Sequence, residues 1–322
     1  MKSDAKHGTQ LIAKLSAGSI LLVATALMLS GGAWAQATPP AAGSTEYQPR
    51  VGQEGKDVIW VPTPPGLVER MLQLAQTTPK DFVVDLGSGD GRIPIAAVKQ
   101  FGARAMGIEY NPDLVALSIR NAREAGVGGR AQMVEGDIFE KDFTSATVVT
   151  LYLLTELNLR LRPKLLDMKP GTRLVAHLFG LGDWIPDETS NYDGRPAYMW
   201  VVPARANGRW KVTVGAAGNL KGTKGTKGTK GNVAREFTLD IEQRFQMISG
   251  TASFGRMNTT LRDPLLRADA IRFSVTDVDG KVREYAGRIA GATMRGEMSI
   301  GSVAASRSRQ RWHGERIEAP KP

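Results

Sequence analysis

The stretch from Asp81 to Ala97, DFVVDLGSGDGRIPIAA, decides the fold. Its first half is a short apolar run ending on an acid, the pattern of a strand buried on both faces. From Arg92 the apolar spacing becomes helical and predicts a helix over 92–101. Gly87, Gly89 and Gly91 stand between the two. Glycine there lets the backbone turn sharply and approach a ligand that a side chain would exclude, and the helix behind it presents free N–H groups to an anionic group.

Outward from this unit the alternation continues. Ala105–Glu109 reads as a strand, and Pro112 opens a helix over about 112–125, where proline in the first turn is tolerated. Strands are expected at Gln132–Val134, Thr147–Leu151 and Arg173–Leu178, with a helix over about 157–168 before the last. On the N-terminal side, Pro62, Pro64 and Pro65 lead into a helix carrying Leu67, Val68, Met71, Leu72 and Leu74 at helical spacing. Ala197–Val202 predicts a strand closing the sheet. Strand alternating with helix means a parallel, Rossmann-like α/β sheet with helices on both faces.

After Gly208 the helical period disappears. RWKVTVG, EFTLDIEQ, QMISGTASF, AIRFSVTD and VREYAGRIA alternate or run β-branched and aromatic, and Asp279-Gly280 is a hairpin signal. They predict a small antiparallel all-β barrel or sandwich over residues 207–322, following a first domain at 57–206. Residues 221–231, KGTKGTKGTKG, read either as an arm for nucleic acid or lipid headgroups or as a repeat tolerated in a solvated loop.

The 322 residues carry a net charge of +10, unevenly spread. Residues 1–206 hold 21 Lys+Arg and 21 Asp+Glu, whereas residues 207–322 hold 21 and 11, which is the whole excess. The basic part therefore reads as meeting an anionic surface or partner, or simply as a soluble basic face. Cysteine is absent, which excludes disulfides, thiolate chemistry and Cys-ligated zinc. His7, His177 and His313 stand too far apart in sequence for metal-ligand spacing, so no metal is expected.

Lys2, Lys6 and Lys14 precede an apolar core, Ile20–Leu29, and a small-residue stretch ending Ala33-Trp34-Ala35. This is the pattern of a signal peptide over residues 1–35, cleaved before Gln36, and it predicts export to a periplasm. A retained membrane anchor is the alternative. Residues 36–56, rich in Pro, Gly and small residues, read as a flexible leader.

The chemistry lies at the strand ends. A dinucleotide fingerprint needs G-x-G-x-x-G, and Arg92 occupies the place of its third glycine. No G-K-[ST] follows, so a triphosphate P-loop is excluded. G-x-G-x-G behind an acid, here Asp85, Gly87, Ser88, Gly89 and Gly91, is the pattern that binds the aminoacyl part of S-adenosylmethionine. Glu109, ending the next strand, can accept hydrogen bonds from both ribose hydroxyls. Asp137, after Gly136 in VEGDIF, would stand near the adenine amino group. Each acid alone is an ordinary strand-end residue. All three on consecutive strand ends point to this cofactor.

The same residues carry a resemblance. VVDLGSGDGRIPIAA, GIEYNPDLVALS and Trp60–Thr63 (WVPT) resemble motifs of class I methyltransferases, and more closely the mitochondrial lysine methyltransferases that modify the ATP synthase c-subunit and the adenine nucleotide translocase. The resemblance covers about residues 58–202. It implies a lysine N-methyltransferase using S-adenosylmethionine, with Pro62 and Thr63 as a lid over it. DLGSGDG, GIE and Met168–Val175 are also similar to the non-SET histone lysine methyltransferases. Those carry an asparagine pair where this chain has Val149-Thr150, so their lysine-channel residues do not transfer.

If the acceptor is a protein lysine, its amine must lose a proton, which an apolar channel favours. Tyr152, Glu156 and Asn158 in LYLLTELN are the candidates to line that channel, with Glu156 accepting the proton or orienting the amine. The same segment also reads as an ordinary helix start, with Thr155 as N-cap and Asn158 on the surface. Asp183 and Trp184 follow the fifth strand, where substrate loops lie. Export leaves the source of the methyl donor unnamed, so a non-catalytic cofactor-binding protein or a scaffold for the basic domain is the rival reading.

Overall fold

The computed structural model describes residues 47–215, 235–300 and 309–318. The signal-peptide expectation and the KGT repeat lie outside the described residues. From Tyr47 onward the chain is one compact unit built around two sheets.

The first sheet contains β1 (Phe82–Leu86), β2 (Arg104–Glu109), β3 (Ala131–Glu135), β4 (Val148–Leu151), β5 (Arg173–His177), β6 (Glu188–Tyr192) and β7 (Arg195–Val201), in the order β3-β2-β1-β4-β5-β7-β6. The first five run parallel, and β7 pairs antiparallel with β5. The central strands β1 and β4 are apolar because both their faces are covered: Val83, Val84, Leu86 and Val148 to Leu151 are all fully buried. Helices α1 (Pro65–Leu74), α2 (Arg92–Phe101), α3 (Pro112–Glu124) and α4 (Thr155–Leu166) connect or flank them. Asn111 caps α3 by accepting from the N–H groups of Asp113 and Leu114.

Two expectations need correction here. Thr155 is the first residue of α4 rather than its N-cap, a position held by Leu154 without a side-chain bond. Asn158 is fully buried, not a surface residue. The strand β6 was also unforeseen. Its signal was available, because Asp193-Gly194 forms the two-residue hairpin turn to β7 with both φ values positive.

The second sheet is antiparallel, with β8 (Gly208–Val214), β9 (Arg235–Arg244), β10 (Met247–Phe254), β11 (Met257–Thr260), β12 (Arg262–Arg267), β13 (Ala270–Thr276), β14 (Val282–Ala290), β15 (Thr293–Ile300) and β16 (Arg309–Glu318). The order β11-β10-β9-β8-β16-β15-β14-β13-β12 curls until its end strands approach, giving a nearly closed barrel. Its interior is filled by side chains. Phe273 stacks on Tyr285 at 5.0 Å, and Phe237 and Trp312 meet Tyr285 edge-on at 5.5 and 5.7 Å.

Candidate active site

The polar residues of interest gather at the carboxyl ends of β1 to β5, where an open α/β sheet leaves a crevice. Asp85 is buried, and Thr150 on β4 donates its hydroxyl to Asp85 Oδ1 at 2.6 Å. Burial pushes the Asp85 carboxyl up to about 7, with the Thr150 hydrogen bond opposing and the Glu109 and Asp90 carboxylates adding to the rise.

The loop after β1 turns through left-handed glycines, and Gly89 shows why one is needed. Its φ is +54°, and a Cβ there would lie 2.6 Å from the Trp60 indole nitrogen. Ser88 hangs from the same loop with its hydroxyl buried and unpartnered among the described residues, over Gly107 of β2. Glu109 closes the loop from the other side. Its two carboxylate oxygens accept the N–H groups of Gly89 and Asn111, each at 2.9 Å. A carboxylate oxygen has two lone pairs, so each keeps one for an incoming hydroxyl. Asp137 accepts the Phe139 N–H at 2.8 Å and is ion-paired with Lys56, whose hydrogen bond holds the Asp137 carboxyl below its usual range.

A segment N-terminal to α1 covers this crevice. Residues 53–63 line it together with the β1, β2 and β3 loops and with Tyr152, Leu153 and Leu157. The segment is closed on itself by two backbone bonds: the Trp60 N–H donates to the Gln53 carbonyl and the Gly52 N–H to the Trp60 carbonyl, each at 2.9 Å. The end of the expected flexible leader, residues 47–56, is therefore built into the fold, held by these turns and by Lys56. Pro62 and Thr63 lie in the same cover. Arg92, standing where a third glycine would be in a dinucleotide fold, bridges cover and loop: it pairs with Asp90 at 2.5 Å and donates to the Thr63 carbonyl at 2.9 Å.

Of the three acceptor-side candidates, Tyr152 lines the crevice. Glu156 is exposed on the first turn of α4 and outside that lining. Asn158 lies behind it, donating to the carbonyls of Phe179 at 3.0 Å and Gly180 at 3.2 Å, with its own Oδ1 unpartnered among the described residues. Trp184 is fully buried, and Asp183 pairs with Arg162 and Arg244. The sequence reading missed His177, at the end of β5. It is buried, stacks on Tyr152 at 3.8 Å and meets the Thr63 hydroxyl through Nδ1 at 3.2 Å. Burial pushes His177 down to about 4, with Arg195 adding to the effect, so it is neutral at physiological pH. A polar residue ending an apolar strand, in line with Asp85 and Glu109, was the available signal.

These residues fit S-adenosylmethionine. A buried Asp85 with a raised pKa lacks the cation that the aminoacyl ammonium would bring. Glu109 presents spare lone pairs at a ribose position, and the glycine loop lets backbone approach. When bound, that group supplies an electrophilic methyl on a sulfonium. Sheet order and strand-end acids together define a class I S-adenosylmethionine-dependent methyltransferase.

Comparison with known proteins agrees. Residues 85–188 match the family model described as ANTKMT methyltransferase domain. A protein-lysine N-methyltransferase of Saccharolobus islandicus is 43% identical over 151 residues, 45% of this chain and 94% of that protein. The lysine N-methyltransferase of the ATP synthase c-subunit from Mus musculus is 34% identical over 159 residues, 44% of this chain and 64% of that protein. A solved structure titled RNA methyltransferase from Salinibacter ruber, in complex with S-adenosyl-L-homocysteine, is 49% identical with a TM-score of 0.45, covering 45% of this chain and 95% of that one. The chain belongs to this family of S-adenosylmethionine-dependent methyltransferases.

Proposed function

We propose that the protein methylates the side-chain amine of a lysine in a protein acceptor. The observation that carries this is the uncharged wall at the β4 and β5 ends. Tyr152 stacks on His177 with ring centroids 3.8 Å apart and lies 6.3 Å from the Phe179 ring, and His177 stays neutral. Adenine, ribose and aminoacyl groups are claimed by the β3, β2 and β1 ends, which leaves the β4 and β5 ends for the acceptor. An amine entering beside aromatic rings and away from water loses its proton more readily. Its neutral nitrogen would then be the nucleophile for the methyl group that the bound cofactor would supply. Positioning and exclusion of water supply most of the acceleration for such an in-line displacement. The lysine acceptors named for the Saccharolobus and mouse relatives support the choice.

The reading includes export, on Lys2, Lys6, Lys14 and Ala33-Trp34-Ala35, and an anionic partner for the basic residues 207–322. Mature protein incubated with labelled S-adenosylmethionine and an envelope extract tests it, with Asp85→Ala as the control. Methyl groups on lysine, found by mass spectrometry and lost in the control, are the expected result. Methylated RNA, lipid or sugar would overturn the lysine assignment and leave the methyltransferase class standing. Cofactor binding without any transfer would favour the non-catalytic rival.

A further inference from the structure

One turn of the barrel belongs, by its contacts, to the other sheet. The β9–β10 turn carries Phe245, whose ring packs on the core of the first sheet rather than inside the barrel. It stacks on the buried Trp184 with centroids 5.4 Å apart and planes 9° from parallel, and the Arg162 guanidinium lies 5.4 Å from its centroid. The flanking residues reach the same place. Arg244 pairs with Asp183 at 2.8 Å, and Gln246 donates to the Ile185 carbonyl at 2.8 Å. Phe245 adopts a φ of +54°, a left-handed conformation uncommon for a bulky residue. Glycine would sit there without strain, so the ring is held in position at the expense of local backbone comfort.

What the turn holds is the loop after β5. Trp184 is fixed from behind by Trp200, whose indole donates to its carbonyl at 2.7 Å, and Arg162 donates to the Leu181 carbonyl at 3.0 Å. The carbonyls of Phe179 and Gly180, at the start of the loop, receive Asn158, which also approaches the Leu153 carbonyl at 3.5 Å. Leu153 and Tyr152 line the crevice. A continuous packed path therefore runs from Phe245, through Trp184 and residues 179–185, to Tyr152. The Saccharolobus relative is matched over 94% of its length by 151 residues, which leaves no room for a barrel of this size. The support is an addition in this chain.

We propose that Phe245 is a positioning residue for the acceptor side of the methyltransferase site, and that the barrel completes that site rather than riding beside it. The inference rests on the acceptor side lying at the β4 and β5 ends, as proposed above.

The test uses the full chain with Phe245→Ala and Phe245→Tyr. Phe245→Gly, which suits the left-handed turn, serves as a second truncation should the alanine variant fold poorly. An aromatic pair contributes enough for a roughly 2- to 12-fold effect. Hydrogen exchange over residues 178–185 should accelerate by that factor in the truncated variants and return to the wild-type rate in Phe245→Tyr. Cofactor Kd, from calorimetry, should stay unchanged, while the rate of lysine methylation in the envelope extract falls. Unchanged exchange in a folded Phe245→Ala or Phe245→Gly protein would overturn the proposal. So would a cofactor affinity that falls as far as turnover does. If wild-type protein methylates no lysine, the acceptor assignment fails, while the exchange and calorimetry still decide whether Phe245 holds this loop.

Discussion

In the first sheet the informative polar residues stand where strands stop: Asp85 ends its approach to the glycine loop, Glu109 closes β2 and His177 closes β5. In the barrel, strands such as β13 alternate, with Ile271, Phe273 and Val275 buried between more exposed neighbours. The barrel's interior is an aromatic cluster around Tyr285. The contrast teaches where function is written in each architecture. A parallel sheet leaves its strand ends free for chemistry, while a filled barrel offers its surface and its turns.

The strongest way to break that contrast is to damage the barrel core and watch the cofactor site. Trp210 is fully buried, donates to the Ala206 carbonyl at 2.8 Å and lies under the Arg316 guanidinium. Trp210→Ala should destabilise the protein by about 3–5 kcal/mol, measured by denaturant unfolding. Cofactor affinity in the remaining folded protein should be unchanged, because no described barrel residue lines the crevice. A cofactor Kd that rose alongside the lost stability would show that the two regions do not divide function in this way.

Glu109→Ala makes the converse test. It removes a carboxylate that anchors the Gly89 and Asn111 N–H groups and stands ready for the ribose. Charge-assisted hydrogen bonds contribute roughly 1.5–3 kcal/mol, so cofactor affinity should fall about 10- to 150-fold. Calorimetry finding an unchanged Kd in a folded variant would remove Glu109 from the site.

How far the sequence made this visible also differs between the two regions. The strand-end acids and the three glycines were legible because each needs a particular residue type: only glycine suits the left-handed backbone under Trp60, and only an acid serves at Glu109. His177 left only a faint signal, a polar residue ending an apolar strand, because its importance comes from β5 lying beside β4 and from the stack on Tyr152, a contact between distant positions. One of the two readings of Asn158 put it on the surface for the same reason. Nothing local reveals that the loop after β5 folds back over α4. In the barrel, alternation gave the class of structure. Strands such as β12 and β15 escaped because RDPLLR carries a proline and TMRGEMSI a central glycine, which weaken strand propensity until neighbours supply pairing. Phe245 was invisible because its role depends on two sheets meeting.

The buried carboxyl allows the contrast to be sharpened by pH. Asp85, pushed up to about 7, binds a cationic amine only when deprotonated. Cofactor Kd should therefore rise about tenfold for each pH unit below 7 and level off above it. For the cofactor-free protein the sign reverses. A folded pKa above the unfolded value of about 3.9 gives stability that is present below about 4 and lost as pH rises through 7. His177, pushed down to about 4, acts the other way: its contribution is present above about 6.5 and lost as pH falls through 4. The two oppose each other between these limits, so Asp85→Asn is the variant that separates them. It should abolish the tenfold slope in Kd. A slope that persisted in Asp85→Asn would assign the titration to another group.

The smallest expected effect tests the edge of the first region. Lys56 joins the cover to the β3 loop through Asp137 and lies 4.6 Å from the centroid of the Tyr110 ring. It is a partly exposed latch, whereas Glu109 is tied into the loop by backbone donors. Solvent-exposed ion pairs contribute little and are screened by salt. Lys56→Ala should therefore weaken cofactor binding by about fivefold or less, mostly through faster release, and the difference from wild type should shrink as ionic strength rises. Rapid-mixing measurements of cofactor release at low and high salt would read both. A loss as large as that of Glu109→Ala, insensitive to salt, would place Lys56 in the binding site itself. The end of the leader would then count with the strand ends rather than as a cover laid across them.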